Sequence, residues 1–403
     1  MHRRDVPKAL LASAAGTLLV AQQARAQTGT PPYYQRTQAE IDADITPTKY
    51  EYEAGNVLRY GADPKGIQDS TAAFNTALAS IDGTGNFYST HYAFADGGEF
   101  RIDGTVTIPP GKSLFLRGQV KLIRKAISSN TACVVHIMGS YSVFDAGGGS
   151  VWSENASPDG VVACGHLDRT SSAYSAIRWR FANCRVYTKE YGKRDASPYP
   201  GANDGIGVYV PSSQPALGSR VSSNYFGTCE NIAVENATTA YLLTDIANGH
   251  VFLNCTLRGF YHYGFRLHGA VGNVFHGGYI EDGYRDGVIA FLLSNELVGS
   301  SHNSARNHIS GFTFETVGVN QVGIRCEANC QYNRGDIAFI AFGLPIYDLD
   351  GANHFSSDTA LYTNKKLVFS DLKNCADDAA AALAGTPVGG LYHTDGAVKV
   401  RMT

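Results

Sequence analysis

The chain has 403 residues, among them 44 Gly, 23 Tyr and 19 Phe; 17% are charged and the formal net charge is −3. A hydrophobic fraction of 44% excludes a disordered chain, and the scarcity of charges and Met (3) is unlike the Ala-, Glu-, Lys- and Leu-rich composition of a helical protein. The composition favours strands and tight turns, in two domains or in one long repetitive domain.

Residues 1–26 have the features of a signal peptide. Arg3 and Arg4 precede an apolar run, and the Ala-Arg-Ala sequence at residues 24–26 is typical of a cleavage site. The run is too short for a membrane span, and the paired arginines favour a twin-arginine signal over an ordinary secretory one. Cleavage removes four basic residues and one acidic residue, so 29 Lys and Arg face 35 Asp and Glu, a net charge of −6.

A mildly acidic exported chain has no electrostatic surface for nucleic acid. No later stretch is apolar for the length of a bilayer. We therefore expect a secreted or periplasmic protein with no membrane span and no nucleic-acid partner.

The eight Cys residues lie mostly in apolar, strand-like segments. This pattern indicates small buried side chains rather than a disulfide framework. Cys326 and Cys330 flank a short turn and are the candidate pair for a disulfide, which the sequence leaves open. Because no Cys and His spacing matches a structural zinc site, we predict no metal and no other cofactor.

The first elements after the signal peptide are irregular. Residues 27–56 are rich in Pro, Thr and Tyr and predict an extended arm or linker, and Val57–Tyr60 predicts a short strand. A helix capped by Asp69 or Ser70 follows. Its predicted apolar face consists of Phe74, Ala77, Leu78 and Ile81.

The middle of the chain repeats. The segments GTCENIAVE, HVFLNCTLR, NVFHGGYIE and NHISGFTFE superimpose and end at Glu235, Arg258, Glu281 and Glu315. The first two steps are 23 residues, and the third is 34, which is one unit plus an 11-residue insertion at residues 295–305. Each unit then carries a second short strand: YLLT, GFRL, GVIAF or GIRC.

A unit of this length cannot bury its own apolar face, but stacked units bury a continuous one. Leucine-rich repeats need a Leu pattern that is absent, and propeller blades need about 40–45 residues. A large β-sandwich, the remaining alternative, needs hairpin turns between consecutive strands. The repeats therefore predict a parallel β-helix over residues 57–362. Its predicted interior side chains are Phe252, Phe275, Ile309, Leu257, Ile280 and Phe314.

The C-terminal residues 363–403 have another pattern. Residues 377–384 predict a short Ala-rich helix, and the alternation around Asp395 and Gly396 predicts a hairpin. We expect these elements to form a cap over the open end of the solenoid, where strand edges are otherwise unpaired.

The string YGADPKGIQDSTAAFNTAL at residues 60–78 resembles the opening of the pectate-lyase-like superfamily. This superfamily of right-handed parallel β-helices includes rhamnogalacturonase- and epimerase-like domains and phage tailspike depolymerases. The match rests on Tyr60, Gly61, Ala62, Gly66, Asp69, Thr71 and Ala73, whereas Lys65 and Ser70 stand where the family pattern has Asp. The resemblance implies a right-handed coil with a helix capping its entry.

The same resemblance implies a carbohydrate partner, since most members bind, cleave or epimerise polysaccharides along the flank of the solenoid. It supplies no catalytic residues, because no segment here matches a polygalacturonase or a calcium-dependent pectate-lyase active-site motif.

The aligned column of charged residues is the candidate catalytic site. Neighbouring strands lie about 4.8 Å apart, so stacking places Arg258 between Glu235 and Glu281, and Glu281 beside Glu315. Retaining glycosidases hold two carboxyl groups about 5–5.5 Å apart. A wider, inverting arrangement that includes Asp282 is also open, and we predict Glu281, Glu315 and Asp282 as acid and nucleophile or base. The alternative is a ladder of exposed ion pairs, each worth less than about 1 kcal/mol.

Further residues are candidates for substrate binding. Arg258, Arg266 and Arg325 are predicted to point outward, where a guanidinium group pairs with uronate or sulfate. Turn aromatics supply stacking faces for sugar rings, and a Tyr or His abstracts a proton in a lyase. The alternatives are solvated surface arginines and aromatic rings that pack the turns. The aromatic candidates are Tyr261, His262 and Tyr284.

The sequence thus predicts an exported protein that acts on an extracellular polysaccharide, with acidic polymers among the candidates. A glycoside hydrolase is the leading interpretation, and a polysaccharide lyase is the enzymatic alternative. From another class, a non-catalytic glycan-binding, tailspike-like or surface-attachment protein fits the same pattern. The oligomeric state is left open between a monomer and a tailspike-like trimer.

Overall fold

The structure is a computed structural model. It describes residues 33–82, 92–130, 132–155, 157–165, 167, 176–188, 205–211, 224–244, 247–283, 287–294, 303–315, 321–340, 344–349, 352–357, 373–386, 388, 391–394 and 397–402. The predicted signal peptide lies outside these ranges, as do the candidate Tyr284 and most of the predicted insertion at residues 295–305. Among the described helices, none is long and apolar enough to cross a membrane.

The described elements are mostly short strands. The helices are α1 (Gln38–Asp42), a 3-10 helix (Val57–Tyr60), α2 (Thr71–Ala79) and α3 (Asp378–Leu383). The first twelve strands are β1 (Lys65–Asp69), β2 (Ala93–Arg101), β3 (Val106–Ile108), β4 (Ser113–Arg124), β5 (Val135–Ile137), β6 (Val143–Asp145), β7 (Ser150–Ser153), β8 (Val162–Cys164), β9 (Ala176–Ile177), β10 (Arg180–Tyr187), β11 (Ile206–Val210) and β12 (Asn224–Tyr225). The others are β13 (Thr228–Thr244), β14 (Val251–Leu253), β15 (Thr256–His268), β16 (Val274–Gly283), β17 (Ile289–Ser294), β18 (His308–Glu315), β19 (Val322–Cys326), β20 (Arg334–Ile340), β21 (Leu344–Asp348), β22 (His354–Ser357), β23 (Leu391–Thr394) and β24 (Ala397–Val400).

Twenty of these strands form one sheet that winds into a right-handed parallel β-helix, as the repeats and the resemblance predicted. Its coils have three faces. Face A includes segments 93–96, 113–115, 143–145, 180–182, 228–230, 251–253, 274–276 and 308–310. Face B includes 121–124, 150–153, 185–187, 233–235, 256–258, 279–281 and 312–315. Face C includes 206–210, 239–244, 263–268, 289–294 and 322–326.

The interior is a stack of apolar side chains. Phe252 pairs in register with Phe275, and Phe275 with Ile309; the two Phe rings stack with their centroids 4.7 Å apart. The second predicted column, Leu257, Ile280 and Phe314, is likewise in register and buried. The predicted interior is therefore confirmed, and the 23-residue spacing is the length of one coil.

Three Asn residues occupy the bend between faces A and B. Asn183, Asn231 and Asn254 adopt left-handed backbone there, with φ between 49° and 55°, a conformation that Asn tolerates better than most residues. Their side chains form a ladder, because Asn254 Nδ2 donates to Asn231 Oδ1 at 2.9 Å and Asn231 Nδ2 donates to Asn183 Oδ1 at 3.0 Å. Gly277 and Gly311 continue the column with φ of 67° and 66°.

A second, buried amide ladder marks the bend between faces C and A. Asn273 Nδ2 donates to Asn307 Oδ1 at 3.0 Å, Asn307 to Asn333 at 2.9 Å, and Asn333 to Asn353 at 2.8 Å. Each Nδ2 also donates to a backbone carbonyl of a preceding coil, as from Asn307 to Ala270 at 2.9 Å. The ladder satisfies backbone groups that the bend would otherwise bury without partners.

The predicted strand at Val57–Tyr60 is wrong, because these residues form the 3-10 helix. Asn56 Oδ1 accepts the Leu58 N–H at 2.9 Å, and Gly61 ends the helix with φ of 91°. The four-residue apolar pattern is too short to distinguish the two structures. It also contains Arg59, which is fully buried by a contact that no local pattern reveals.

Arg59 ties the segment predicted as an arm to the first coil. Its Nε and Nη2 donate to Glu40 Oε1 at 2.7 Å and Oε2 at 3.0 Å, and both side chains are 0% exposed. The Tyr60 hydroxyl also donates to Glu40, at 2.8 Å. Glu40 lies in α1, so the described part of the arm holds a helix that is locked by a buried ion pair.

The predicted helix after Ser70 is confirmed as α2. Asp69 Oδ1 accepts both the N–H and the hydroxyl of Thr71, at 3.0 and 2.6 Å, and Ser70 makes no side-chain cap. Phe74 is buried and packs edge-on against Phe100 of β2, with ring centroids 5.3 Å apart. The apolar face of α2 thus joins the interior of the coil.

At the C-terminus, α3 and the antiparallel pair of β23 and β24 match the predicted helix and hairpin. Their role as a cap stays a prediction. All eight Cys residues are buried free thiols, which confirms the packing interpretation. Cys326 and Cys330 therefore form no disulfide; the Cys330 thiol instead donates to the Leu293 carbonyl at 3.3 Å.

Candidate functional site

The charged column predicted from the repeats lies on the outer surface of face B. Glu235 pairs in register with Arg258, and Arg258 with Glu281. The pairing of Ile280 with Phe314 places Glu315 on the coil next to Glu281. Strand alternation turns Leu257, Ile280 and Phe314 inward, so the residues that follow them turn outward. We call Glu235, Arg258, Glu281 and Glu315 the charged ladder.

Arg258 is the only basic residue of the ladder. Its Nε lies 3.0 Å from Glu281 Oε1, with the two side chains 62% and 31% exposed. An ion pair this accessible to water contributes little to stability, at most about 1 kcal/mol. The contact places the Glu281 carboxylate beside Arg258, whose side chain as a whole remains mostly exposed.

Two aromatic residues extend the same column, and the sequence analysis missed both. Trp152 pairs in register with Tyr187, and Tyr187 pairs with Glu235. Their rings lie 4.1 Å apart at an angle of 31°, and Lys121 Nζ lies 4.1 Å from the Trp152 ring on the preceding coil. We call Trp152 and Tyr187 the aromatic pair. Burial, and then the charge of Glu235, raise the pKa of the Tyr187 hydroxyl.

The repeat could not reveal the aromatic pair because the period breaks there. Trp152 precedes Tyr187 by 35 residues and Tyr187 precedes Glu235 by 48, instead of the 23 residues of the later coils. The available signal was alternation alone. In SVWS and CRVY, Trp and Tyr each follow an inward Val, as Glu235 follows Val234.

Arg266 and Arg325 are on face C and are not brought together with the charged ladder. They point outward as predicted, in a register column where they alternate with Leu242 and Leu292. The Arg266 guanidinium lies 4.8 Å from the Tyr263 ring centroid. Arg325 Nε lies 2.6 Å from Glu327 Oε1. Their substrate-binding role stays a prediction, and any such contact belongs to a different face.

The other predicted site residues lie at or near the bend from face B to face C. Tyr261 is only 5% exposed, so its ring offers little surface for a sugar. His262 is half-buried, with its ring 5.0 Å from that of Tyr263. Asp282 follows Glu281 in β16, and its side chain, like Tyr284, lies outside the described part of the chain.

The described residues contain no cluster of three or more His, Cys, Asp or Glu side chains that could hold a metal ion. The charged ladder and the aromatic pair together present carboxylates, one guanidinium group and two aromatic rings on the outer surface of face B. Adjacent strands of a sheet lie about 4.7–4.9 Å apart, which sets the spacing of neighbouring ladder residues.

The fold is similar to several solved structures at low sequence identity. The enzymatically active domain of tailspike protein 2 from bacteriophage CBA120 aligns with 77% of this chain and 43% of its own length, at 12% identity and a TM-score of 0.45. An iota-carrageenase from A. fortis aligns with 78% of this chain and 57% of its own, at 12% identity and a TM-score of 0.40. The A-module of a mannuronan C-5 epimerase from Azotobacter vinelandii aligns with 75% and 98%, at 13% identity and a TM-score of 0.38.

This chain thus spans less than half the length of the tailspike domain. No family model and no curated protein matches the sequence.

Proposed function

We propose that the chain is an exported polysaccharide-active protein that binds its glycan along face B and cleaves it as a glycoside hydrolase. The observation that carries this proposal is the register of the charged ladder, which sets Glu281 and Glu315 on adjacent coils of an outer flank. Export rests on the paired arginines, apolar run and cleavage sequence of residues 1–26.

The spacing suits a double displacement. Neighbouring strands lie about 4.8 Å apart, which is close to the separation of about 5–5.5 Å between the two carboxyl groups of retaining glycosidases. Glu281, which Arg258 orients, is the nucleophile that attacks the anomeric carbon, and Glu315 donates a proton to the leaving oxygen. Water, deprotonated by Glu315, then releases the sugar from Glu281.

The rest of the column provides binding surface. Arg258 stays accessible to an anionic group such as uronate or sulfate, which a guanidinium group binds well. The aromatic pair lies further along the same column, where sugar rings contact Trp152 and Tyr187. The proposed substrate is therefore a polymer that spans several coils and carries acidic groups near Arg258.

A second candidate function, glycan binding without cleavage, is favoured by the Arg258–Glu281 ion pair. A carboxylate that is engaged by a neighbouring cation is also what an exposed structural ladder contains. The two functions make different demands on the ladder, because only the hydrolase needs a second carboxylate beside Glu281.

A depolymerisation assay on a panel of acidic and neutral glycans separates these functions. For a hydrolase, Glu281→Gln and Glu315→Gln each abolish cleavage and leave glycan binding and the melting profile intact. Glu230→Gln, on face A, is the matched control and keeps full activity. Cleavage that survives both ladder variants contradicts the assignment. Products that absorb as unsaturated uronates identify a lyase, and binding with no depolymerisation identifies the second function.

A further inference from the structure

A hollow of about 500 Å³ lies on the outer surface of face A, beside its bend into face B. Its volume falls within the range of small-molecule sites, about 300–1,000 Å³. Tyr92 and Phe115 line its apolar part, and Arg117, Asp145 and Asn183 line its polar part. None of these residues belongs to the charged ladder or to the aromatic pair.

The apolar part consists of two rings in contact. Tyr92 and Phe115 have their centroids 4.9 Å apart and their planes at 71°, so one ring meets the face of the other. In the register of face A, Phe115 lies between Phe94 on the preceding coil and Asp145 on the following one. Its neighbours in sequence, Leu114 and Leu116, point into the core, so the half-buried Phe115 ring points outward.

The first polar wall is a fixed guanidinium group. Arg117 Nε and Nη2 donate to Asp96 Oδ1 and Oδ2 at 2.6 and 2.8 Å, a bidentate arrangement. The guanidinium carbon lies 3.6 Å from the centroid of the Phe94 ring, which supports the group from below. With 42% of the side chain exposed, Arg117 is oriented and still accessible to a ligand.

The second polar wall is a fixed carboxylate. Asp145 Oδ1 accepts the Gly147 N–H at 3.0 Å and Asn183 Nδ2 at 2.9 Å, and Oδ2 accepts Arg180 Nη1 at 3.2 Å. These contacts immobilise Asp145, and a hydrogen bond to an immobile acceptor costs a ligand little ordering entropy.

We propose that this hollow binds a neutral pyranose residue. A pyranose has an apolar C–H face, which packs on an aromatic ring, and hydroxyl groups at its rim, which bond to fixed polar groups. Each charged group of the hollow already has an opposite charge of its own, Arg117 with Asp96 and Asp145 with Arg180. Arg117 is held through both Nε and Nη2, and Asp145 adds a carboxylate to the same hollow, so a uronate or sulfate would meet a negative charge there and the site recognises hydroxyl groups instead.

This site is independent of the proposed cleavage at the charged ladder. It binds a sugar whether or not Glu281 and Glu315 act on one. A glycan that contained both neutral and acidic residues would satisfy both surfaces, since faces A and B adjoin along the same coils.

The test is calorimetric titration of the full chain with maltotriose, cellotriose, a galactotriose and trigalacturonate. At least one neutral trisaccharide is expected to bind, and Phe115→Ala and Tyr92→Ala are each expected to weaken that binding by about tenfold or more, the effect of losing an aromatic contact. Tyr332→Ala removes an exposed aromatic elsewhere and is expected to change nothing. Melting curves show which variants are folded.

Two results overturn the proposal. One is the absence of binding to every neutral trisaccharide, or binding that both folded variants retain. The other is trigalacturonate binding more tightly than the neutral sugars and being lost in the same variants, which would make the hollow an acidic-sugar site. The titration is repeated with the Glu281→Gln, Glu315→Gln double variant, which lacks the proposed catalytic carboxylates. Binding in the hollow is expected to be unchanged in this variant, so binding and cleavage are measured separately.

Discussion

Arg258 and Glu281, on adjacent coils of face B, form an ion pair with Nε 3.0 Å from Oε1, and 62% of the Arg258 side chain remains exposed. The pair therefore contributes little to stability, while it places a cation and a carboxylate side by side where a polymer can reach both. Substitution at Arg258 is therefore expected to separate stability from the proposed glycan recognition.

Arg258→Gln is expected to lower the free energy of unfolding by less than about 1 kcal/mol, because exposed ion pairs are weak. The same change is expected to reduce affinity for acidic glycans, since the accessible cation is lost. Urea denaturation and calorimetric titration measure the two effects, with Arg306→Gln, at an exposed bend, as the control. Unchanged affinity for every acidic glycan that binds the wild type would show that the ladder does not contact the ligand.

Trp152→Ala is expected to weaken glycan binding and to cost about 1 kcal/mol of stability, the value of one aromatic contact. Trp152 packs between Lys121 and Tyr187, so the substitution opens the surface without reaching the core. Affinity is measured by titration with the glycan that the panel identifies. An affinity equal to that of the wild type would exclude the aromatic pair from the binding surface.

His250 occupies a position in the buried amide ladder and is expected to make the fold sensitive to acid. Its Nδ1 accepts the Gly227 N–H at 2.9 Å, its Nε2 lies 3.0 Å from the Asn224 carbonyl oxygen, and its backbone N–H donates to Asn273 Oδ1 at 2.9 Å. The neutral ring that donates from Nε2 satisfies both ring contacts, whereas a protonated Nδ1 would face the Gly227 N–H donor. Burial lowers the pKa of His250 to about 4.

An unfolded chain binds this proton near pH 6.5, so stability is complete above that pH and falls as the pH decreases toward 4. This difference in pKa corresponds to a loss of about 3 kcal/mol in the free energy of unfolding once the pH is below 4. His250→Asn puts the residue type of Asn273 and Asn307 at this position and is expected to reduce the loss between pH 6.5 and 4. Urea denaturation as a function of pH measures it. The same pH dependence in the variant and the wild type would contradict this assignment.

Glu40→Gln is expected to cost about 3–5 kcal/mol, because it leaves the Arg59 charge buried without its partner. Glu230→Gln, which removes one partner of a half-exposed pair with Arg180, is expected to cost less than about 1 kcal/mol. Denaturation curves for the two variants measure the difference. Equal and small effects would show that residues 33–56 are a loosely attached arm and not part of the folded unit.

The coil and its register were predictable from the sequence where the units are regular. The 23-residue steps from Glu235 to Arg258 and to Glu281 fixed both the pairing and the interior, since one residue of slip would have exposed Phe252 and Phe275. The same reasoning failed to find Trp152 and Tyr187, because longer connections interrupt the period before Glu235.

Two other features of the structure could not be predicted from the repeat. A repeat shows which residues share a column but not which face the column occupies. It therefore did not show that Arg258 and Arg266, on the first and second strands of one unit, lie on different faces. Arg59 is charged, and charged residues are almost never fully buried unless they are paired, yet its ion pair with Glu40, 19 residues earlier in the sequence, holds it in the interior. Such long-range ion pairs depend on the fold, and no local sequence pattern indicates them.

The anomeric configuration of the first cleavage product, followed by proton NMR as it forms, tests the central claim most directly. Glu281 and Glu315 on adjacent strands predict retention, because about 5 Å leaves no room for a water between the carboxylate and the sugar. The retained anomer, absent with Glu281→Gln and with Glu315→Gln, is the expected result. An inverted product, or the same product from both variants, would contradict the assignment of this pair.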